Sequence, residues 1–128
     1  MKKSFICYQI EYAFFRFVEF VSDGIVSFAS GSEFKTLKIH GSAKFKQKQK
    51  DRNGNNTVVQ TLEEVYVQFD STDELNELLI DHLVLRVKTD QGLTHIIGTH
   101  EYPVKTKIVK DLSVTQLKFE CERPDFNV

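Results

Sequence analysis

No apolar run in this sequence approaches the roughly eighteen uninterrupted residues that a membrane-spanning helix needs, so the chain is read as one that does not cross a membrane. Lys2 and Lys3 precede an apolar stretch, as in a secretory leader, but Gln9, Glu11, Arg16 and Glu19 interrupt it and no small-residue cleavage site follows. A cytoplasmic location is therefore expected. Cysteine is scarce. Cys7 and Cys121 lie near opposite ends and can pair only if the first and last strands are neighbours; free, buried thiols are the favoured reading. Those cysteines and the four histidines (His40, His82, His95, His100) lack the close spacing of a zinc site, so no metal and no cofactor is expected. Charge excess is missing too: the formal net charge is -1, which argues against a wholesale polyanion binder. Phosphate loop, dinucleotide fingerprint, serine elbow and Cys/His nucleophile pattern are all absent. Glu63 and Glu64 point to opposite faces of a strand, which gives no paired-carboxylate site. With no catalytic constellation and no evident small-molecule substrate, the chain reads as non-enzymatic.

The strongest local signal runs from Ser71 to Gly98. Ser71 followed by Glu74 has the capping-box spacing, in which the hydroxyl accepts from an early helix N–H while the carboxylate reaches back to the N-cap. Leu75, Leu78 and Leu79 form one helical stripe, His82 takes the next position as a partner for the dipole, and a helix over about 71–82 follows. Such a short helix depends on docking against a sheet. Leu83, Leu85 and Val87 then alternate with Val84, Arg86 and Lys88 up to the turn Thr89-Asp90-Gln91-Gly92. A three-residue loop with Gly92 as the bulge residue sets Leu85 opposite Ile97, Arg86 opposite Ile96 and Val87 opposite His95. Because Val84 and Ile96 are apolar on the second face, this hairpin is expected near the middle of the fold, covered on both sides.

The remaining segments alternate as strands. Ser4–Tyr12 places Ile6, Tyr8, Ile10 and Tyr12 on one face. Ala13–Val21 fits a strand by propensity, although Phe14, Phe17, Val18 and Val21 also fit a helical stripe. Its phenylalanines mark either the thickest packing or a partner surface. Ser22-Asp23-Gly24 makes a turn before a short strand at Ile25–Phe28, which ends at Ser30-Gly31-Ser32. Over 34–50, Leu37, Ile39, Gly41, Ala43 and Phe45 face inward while Lys38, His40, Ser42, Lys44, Lys46 and Lys48 face out. After the turn at Asn53-Gly54-Asn55, burial of Val65, Val67 and Phe69 favours the register that pairs Ala43 with Val65 and Ile39 with Phe69, through a three-residue loop or a bulge near Leu62. Between Gln47 and Gln60 both faces turn polar, as in an exposed tip. Tyr102-Pro103 interrupts the ladder; Lys105–Val109 and Val114–Cys121 close the sheet, with Leu117, Phe119 and Cys121 inward. The fold expected for residues 1–128 is a single mainly β domain. It is an antiparallel β-sandwich or partly closed barrel with one short helix and a protruding β-ribbon over about 44–62.

Two groups of side chains invite a functional reading. Residues 35–52 carry seven basic residues against the single acid Asp51, and Lys44, Lys46, Lys48, Lys50 and Arg52 of the ribbon form a basic row able to meet phosphates or a protein partner. The same row also serves as a solvated face that discourages aggregation, and no aromatic side chain stands in it to stack on bases. His95, His100 and Glu101 lie close in sequence, but a change of direction at Gly98 separates them; His95 is expected to pack beside Val87 and His100 to be exposed.

Residues Leu83-Val84-Leu85-Arg86-Val87-Lys88-Thr89-Asp90-Gln91-Gly92, followed by His95-Ile96-Ile97-Gly98-Thr99-His100-Glu101-Tyr102-Pro103-Val104, resemble small β-rich proteins of prophages and mobile elements in Bacteroidetes. The shared pattern is a strand, an Asp-x-Gly turn and a strand ending in Ile-Gly before a proline. The resemblance implies a tail- or virion-associated structural protein that assembles through its sheet edges and ribbon. Its partner would then be protein, either further copies or other subunits; nucleic acid bound by the basic ribbon is the alternative.

Overall fold

The structure is a computed structural model that describes residues 3–22, 24–29, 31–52, 55–69, 71–111 and 114–124. Ten strands and one helix follow one another: β1 (Lys3–Phe14), a single 3-10 turn (Phe15–Phe17), β2 (Val18–Ser22), β3 (Ile25–Phe28), β4 (Lys35–Leu37), β5 (Ala43–Arg52), β6 (Asn55–Val67), α1 (Thr72–Ile80), β7 (Leu83–Thr89), β8 (Thr94–Ile97), β9 (Lys105–Asp111) and β10 (Thr115–Pro124). The main sheet has the order β8-β7-β1-β5-β6-β10-β9, with β4 also beside β1, while β2 and β3 form a second, two-stranded sheet. Beyond the end of β8, Leu83 and Val104 exchange both backbone hydrogen bonds (3.0 and 2.8 Å), linking β7 to the start of β9. The main sheet therefore curls into a partly closed barrel. Among the described residues one pair of backbone bonds joins its two ends and no other backbone bond crosses the seam.

Two bulges reconcile the sequence pattern with a single inward face. In β1 the pairing shifts between Cys7 and Gln9. Phe5 and Cys7 are inward before the shift and Ile10, Tyr12 and Phe14 after it, whereas Ile6 and Tyr8 are exposed. Uniform alternation over Ser4–Tyr12 therefore fails at Tyr8, because one extra residue exchanges the faces. In β6 the register with β5 runs from Lys44↔Glu63 to Arg52↔Asn55, the spacing of a two-residue turn, and beyond it Ile39 pairs with Val67. The expected pairings Ala43–Val65 and Ile39–Phe69 are therefore corrected. Glu64, at φ 60, absorbs the phase change, so that Leu62 and Val65 are both buried. The left-handed conformation is unusual for a residue with a Cβ, and a sheet bulge is where it is tolerated.

The β5–β6 ribbon outruns β1, whose pairing with β5 stops at Lys3↔Gln47. It is three strands wide, however, since β10 accompanies β6 as far as Pro124↔Thr57. Val58 and Val59 are buried, so the stretch between Gln47 and Gln60 is not polar on both faces as expected. Asn53 and Gly54 of the proposed turn, the Arg52 side chain, Asp23 and Ser30 lie outside the described residues.

The hairpin of β7 and β8 has the expected register, with Leu85↔Ile97, Arg86↔Ile96 and Val87↔His95. Gly92 has the positive φ that the bulged three-residue loop requires. In the sheet order, however, β8 is an end strand rather than a central one. The two-sided burial comes instead from the small sheet, whose Val21, Val26 and Phe28 pack with Ala13, Val18 and Val84 on the outer face.

The helix ends at Ile80, two residues earlier than expected, and docks through Leu75 and Leu78, with Leu79 partly buried. Ser71 is the N-cap, but its side chain makes no capping bond; Glu74 instead accepts the Tyr12 hydroxyl at 3.0 Å. A tertiary bond has displaced the local one. His82 is exposed and follows the helix, and the last turn holds no basic residue. The cation beside that end is Arg16, paired with Asp81 at 2.8 Å. Ala13–Val21 resolves into the end of β1, the 3-10 turn and most of β2. Only Phe14 of its phenylalanines is buried in the main core, and Phe17 and Phe20 are exposed, so this segment is not the thickest packing. Cys7 and Cys121 are free and buried on strands that are not neighbours, and burial pushes both thiols up to about 11. No helix is long and apolar enough to cross a membrane among the described residues.

Candidate functional site

The basic row of β5 does not stand alone. Cross-strand pairing sets Lys44 opposite Glu63 and Lys46 opposite Thr61. Lys46 Nζ lies 2.9 Å from Glu63, Lys44 lies 3.7 Å from Glu64, and Lys118 of β10 lies 4.0 Å from Glu63 and 3.9 Å from Glu120. Lys107 of β9 completes the series at 3.8 Å from Glu120. Charges of both signs therefore alternate across four strands. The hydrogen bond with Lys46 holds Glu63 below the usual carboxylate range and raises Lys46 in turn. A phosphate bound by this row would compete with carboxylates already in place at Lys44 and Lys46. Lys48 and Lys50 are exposed further out along β5 and take no part in these pairs.

The most distinctive geometry lies at the other end of the sheet. Thr89 N–H donates to the Leu93 carbonyl (2.9 Å), and Leu83 bonds to Val104 on the same side of β7. Antiparallel ladders alternate between bonded and non-bonded pairs, so His95 and Ile97 direct their N–H and C=O groups to β7, while Thr94 and Ile96 direct theirs to the open seam. Thr94 and Ile96 border two hollows. One, of about 370 Å³, is bounded by Ser22, Gln60, His95, Tyr102 and Arg123; the other, of about 440 Å³, by Ile25, Val26, Phe28, Phe34 and Arg86.

The first hollow lies at the seam, between inward-facing side chains of the barrel and Val21, Ser22 and Gly24 of the small sheet and its turn. The His95 ring stacks on Phe5 with centroids 5.0 Å apart, and Phe5 stacks on Phe45 at 5.0 Å. His95 Nε2 is buried without a hydrogen-bond partner among the described residues. Gln60 donates to Gln47 (3.0 Å), and the Arg123 guanidinium donates to the carbonyl of Pro124 (3.3 Å). No carboxylate borders this hollow among the described residues. His95, His100 and Glu101 are not brought together. The His100 ring bonds the Val18 carbonyl (3.0 Å) and packs on Phe15, while Glu101 is exposed. Among the described residues no group of three or more His, Cys, Asp or Glu clusters as metal ligands do.

The outer hollow is bordered by an ion pair that braces β1 to β7. Arg86 donates twice to Glu11, at 3.0 and 2.8 Å, and its guanidinium lies 4.3 Å from the centre of the Phe34 ring. The hydrogen bond from Arg86 is the main reason Glu11 titrates below the ordinary value of 4.5. A carboxyl depressed in the folded state stabilises fully above its unfolded value, and the contribution is lost as pH falls through the folded value. Thermal melts at pH 7 and at steps below pH 4.5 are therefore expected to show a shallower acid loss for Glu11→Gln than for the unaltered chain. Equal slopes would remove this role for the pair.

Of the residues at the seam, only His95 was singled out by the sequence. Thr94, Gln60 and Arg123 carry no motif, and three separate strands bring them together. The one signal available was the short, uncharged Thr-His-Ile-Ile of β8, unusual for a strand at a sheet edge. No protein family, curated protein or solved structure matches this chain.

Proposed function

We propose that this chain is a non-enzymatic protein-interaction module that receives a strand of another protein at the free edge of β8, as a subunit of an assembly such as a phage tail or virion. The observation that carries this reading is the contrast between the two ends of one sheet. β9 carries exposed Lys105, Lys107 and Lys110 with α1 lying beside it, the devices that keep an edge from pairing. β8 has no charged residue and turns the backbone groups of Thr94 and Ile96 to the seam. A strand added there gains main-chain hydrogen bonds for affinity and side-chain hollows for selectivity. The resemblance of 83–104 to prophage proteins supports placing the module in a repeated assembly.

Amide hydrogen exchange tests the open edge. Thr94 and Ile96 are expected to exchange fast in the isolated chain, and His95 and Ile97 slowly, because only the latter bond to β7. Slow exchange at all four positions, in a species whose light-scattering mass is 14.8 kDa, would show the edge to be covered from within the chain and defeat the reading.

A further inference from the structure

Thr36, Glu11, Arg86 and Ile96 stand opposite one another on β4, β1, β7 and β8, so their side chains form one row across the outer face of the main sheet. The next row on that face is Ala13 and Val84, the floor on which the small sheet packs. Arg86 links the two. Its guanidinium donates twice to Glu11, at 3.0 and 2.8 Å, and lies 4.3 Å from the centre of the Phe34 ring. Phe34 in turn meets Phe28 of β3 edge-on, with centroids 5.1 Å apart and planes at 84°. A continuous series of contacts therefore runs from a carboxylate of the main sheet, through Arg86 and Phe34, to a strand of the small sheet.

The Arg86 side chain is 39% exposed, whereas Glu11 is 11% exposed. Two charge-assisted bonds to one carboxylate fix the guanidinium plane, and that plane is what sits over Phe34. When Glu11 is neutral the two-point grip is lost and the guanidinium turns towards water. Phe34 then loses the cation on its face, and Phe28 loses a ring held in a fixed edge-on position. A two-stranded sheet is not stable alone in water, so weaker docking of β2 and β3 shows as more frequent opening of their own backbone bonds. We infer that the Glu11–Arg86 pair is an acid-released latch on the small sheet, acting through Phe34 on Phe28. The latch is independent of whether any strand is bound at β8.

The charged groups on the elements around Glu11 are Arg86 and Lys88 of β7, Lys35 of β4, Glu33 beside Phe34, and Glu19 of β2; Asp23, between β2 and β3 in sequence, lies outside the described residues. Arg86 and Lys88 both favour the carboxylate, so the latch holds at pH 7 and releases only below the ordinary carboxylate value of 4.5.

Native-state amide exchange of the full chain, followed by NMR, tests this coupling. At pH 7, Glu11→Gln is expected to speed exchange of the β2 and β3 amides about tenfold relative to those of β6 and β10, the loss of about one charged contact and the ring contact it supports. Glu63→Gln breaks the Lys46 pair, which lies away from the small sheet, and is expected to leave that ratio unchanged. Phe34→Leu keeps an apolar side chain but removes the ring; it is expected to speed the same amides, and Glu11→Gln added to it is expected to have no further effect. Equal acceleration in both sheets by Glu11→Gln would overturn the latch by reducing the pair to a contributor to global stability. Fully additive effects of Glu11→Gln and Phe34→Leu would overturn the route through Phe34. If Glu11→Gln fails to fold by circular dichroism, exchange in the unaltered chain between pH 7 and pH 3 decides: earlier loss of protection in β2 and β3 supports the latch, and joint loss with β6 and β10 overturns it.

Discussion

Gly98→Ala is expected to cost about 3 kcal/mol of stability, read as a lowering of the melting temperature by roughly 10 °C. Gly98 has φ +104, a conformation that side chains rarely adopt, and a Cβ there would stand 3.1 Å from the Leu83 carbonyl oxygen and 3.1 Å from Val104 Cγ2. Those two residues form the bridge that joins β7 to β9, so the added methyl presses on backbone that cannot yield without breaking the closure. Gly92 is the control. Its φ is also positive, at +79, but a Cβ would meet nothing within 4 Å, and Gly92→Ala is expected to cost only about 1 kcal/mol from backbone strain. Equal losses for the two variants would show that conformation alone, and not the crowded bridge, makes Gly98 necessary.

Phe119→Ala is expected to be more damaging still, at about 4 kcal/mol, because the ring is 1% exposed and its removal leaves a cavity that the surrounding strands fill only in part. Phe20→Ala is expected to change stability by less than about 0.5 kcal/mol, since that ring is 52% exposed on the small sheet. Urea unfolding of both variants checks the contrast. A large loss for Phe20→Ala would restore the early phenylalanine cluster to the role of packing centre that its density in the sequence suggested.

These two phenylalanines also show what could be read from the sequence and what could not. Leu117, Phe119 and Cys121 alternate with polar residues on a strand that has one buried face, and period two sufficed to place them. The hairpin from Leu83 to Ile97 was legible to the individual pair because a turn of known type fixes register locally. Phe14, Phe17 and Phe20 were not, because the 3-10 turn at Phe15–Phe17 breaks periodicity and hands the chain from one sheet to another. The bulge at Tyr8 escaped for a related reason: Tyr8 is not a turn former, and only the demand that both halves of a strand face one core calls for the extra residue, the same demand that asked for a bulge near Leu62 and is met at Glu64. Ser71 and Glu74 had the local pattern of a capping box, yet Tyr12, 62 residues away in sequence, took the carboxylate. The seam was least legible of all. Thr94, Gln60 and Arg123 meet only because the barrel curls, and sheet order is a property of the whole chain.

The contrast between β8 and β9 also sets a stoichiometry. Open-ended strand-by-strand growth needs two receptive edges on every unit, one to accept and one to be accepted. On the proposed reading one end of the sheet receives a strand and the other carries lysines, which would give each molecule a valence of one for this kind of contact. Occupation of β8 by a foreign segment yields a one-to-one complex, and occupation by the β8 of a second copy yields a two-fold pair. On that reading either event uses the β8 edge and leaves the lysine-bearing β9, so strand-by-strand growth would end at its first step. A larger array containing this protein would then draw its further contacts from surfaces other than the two ends of the main sheet.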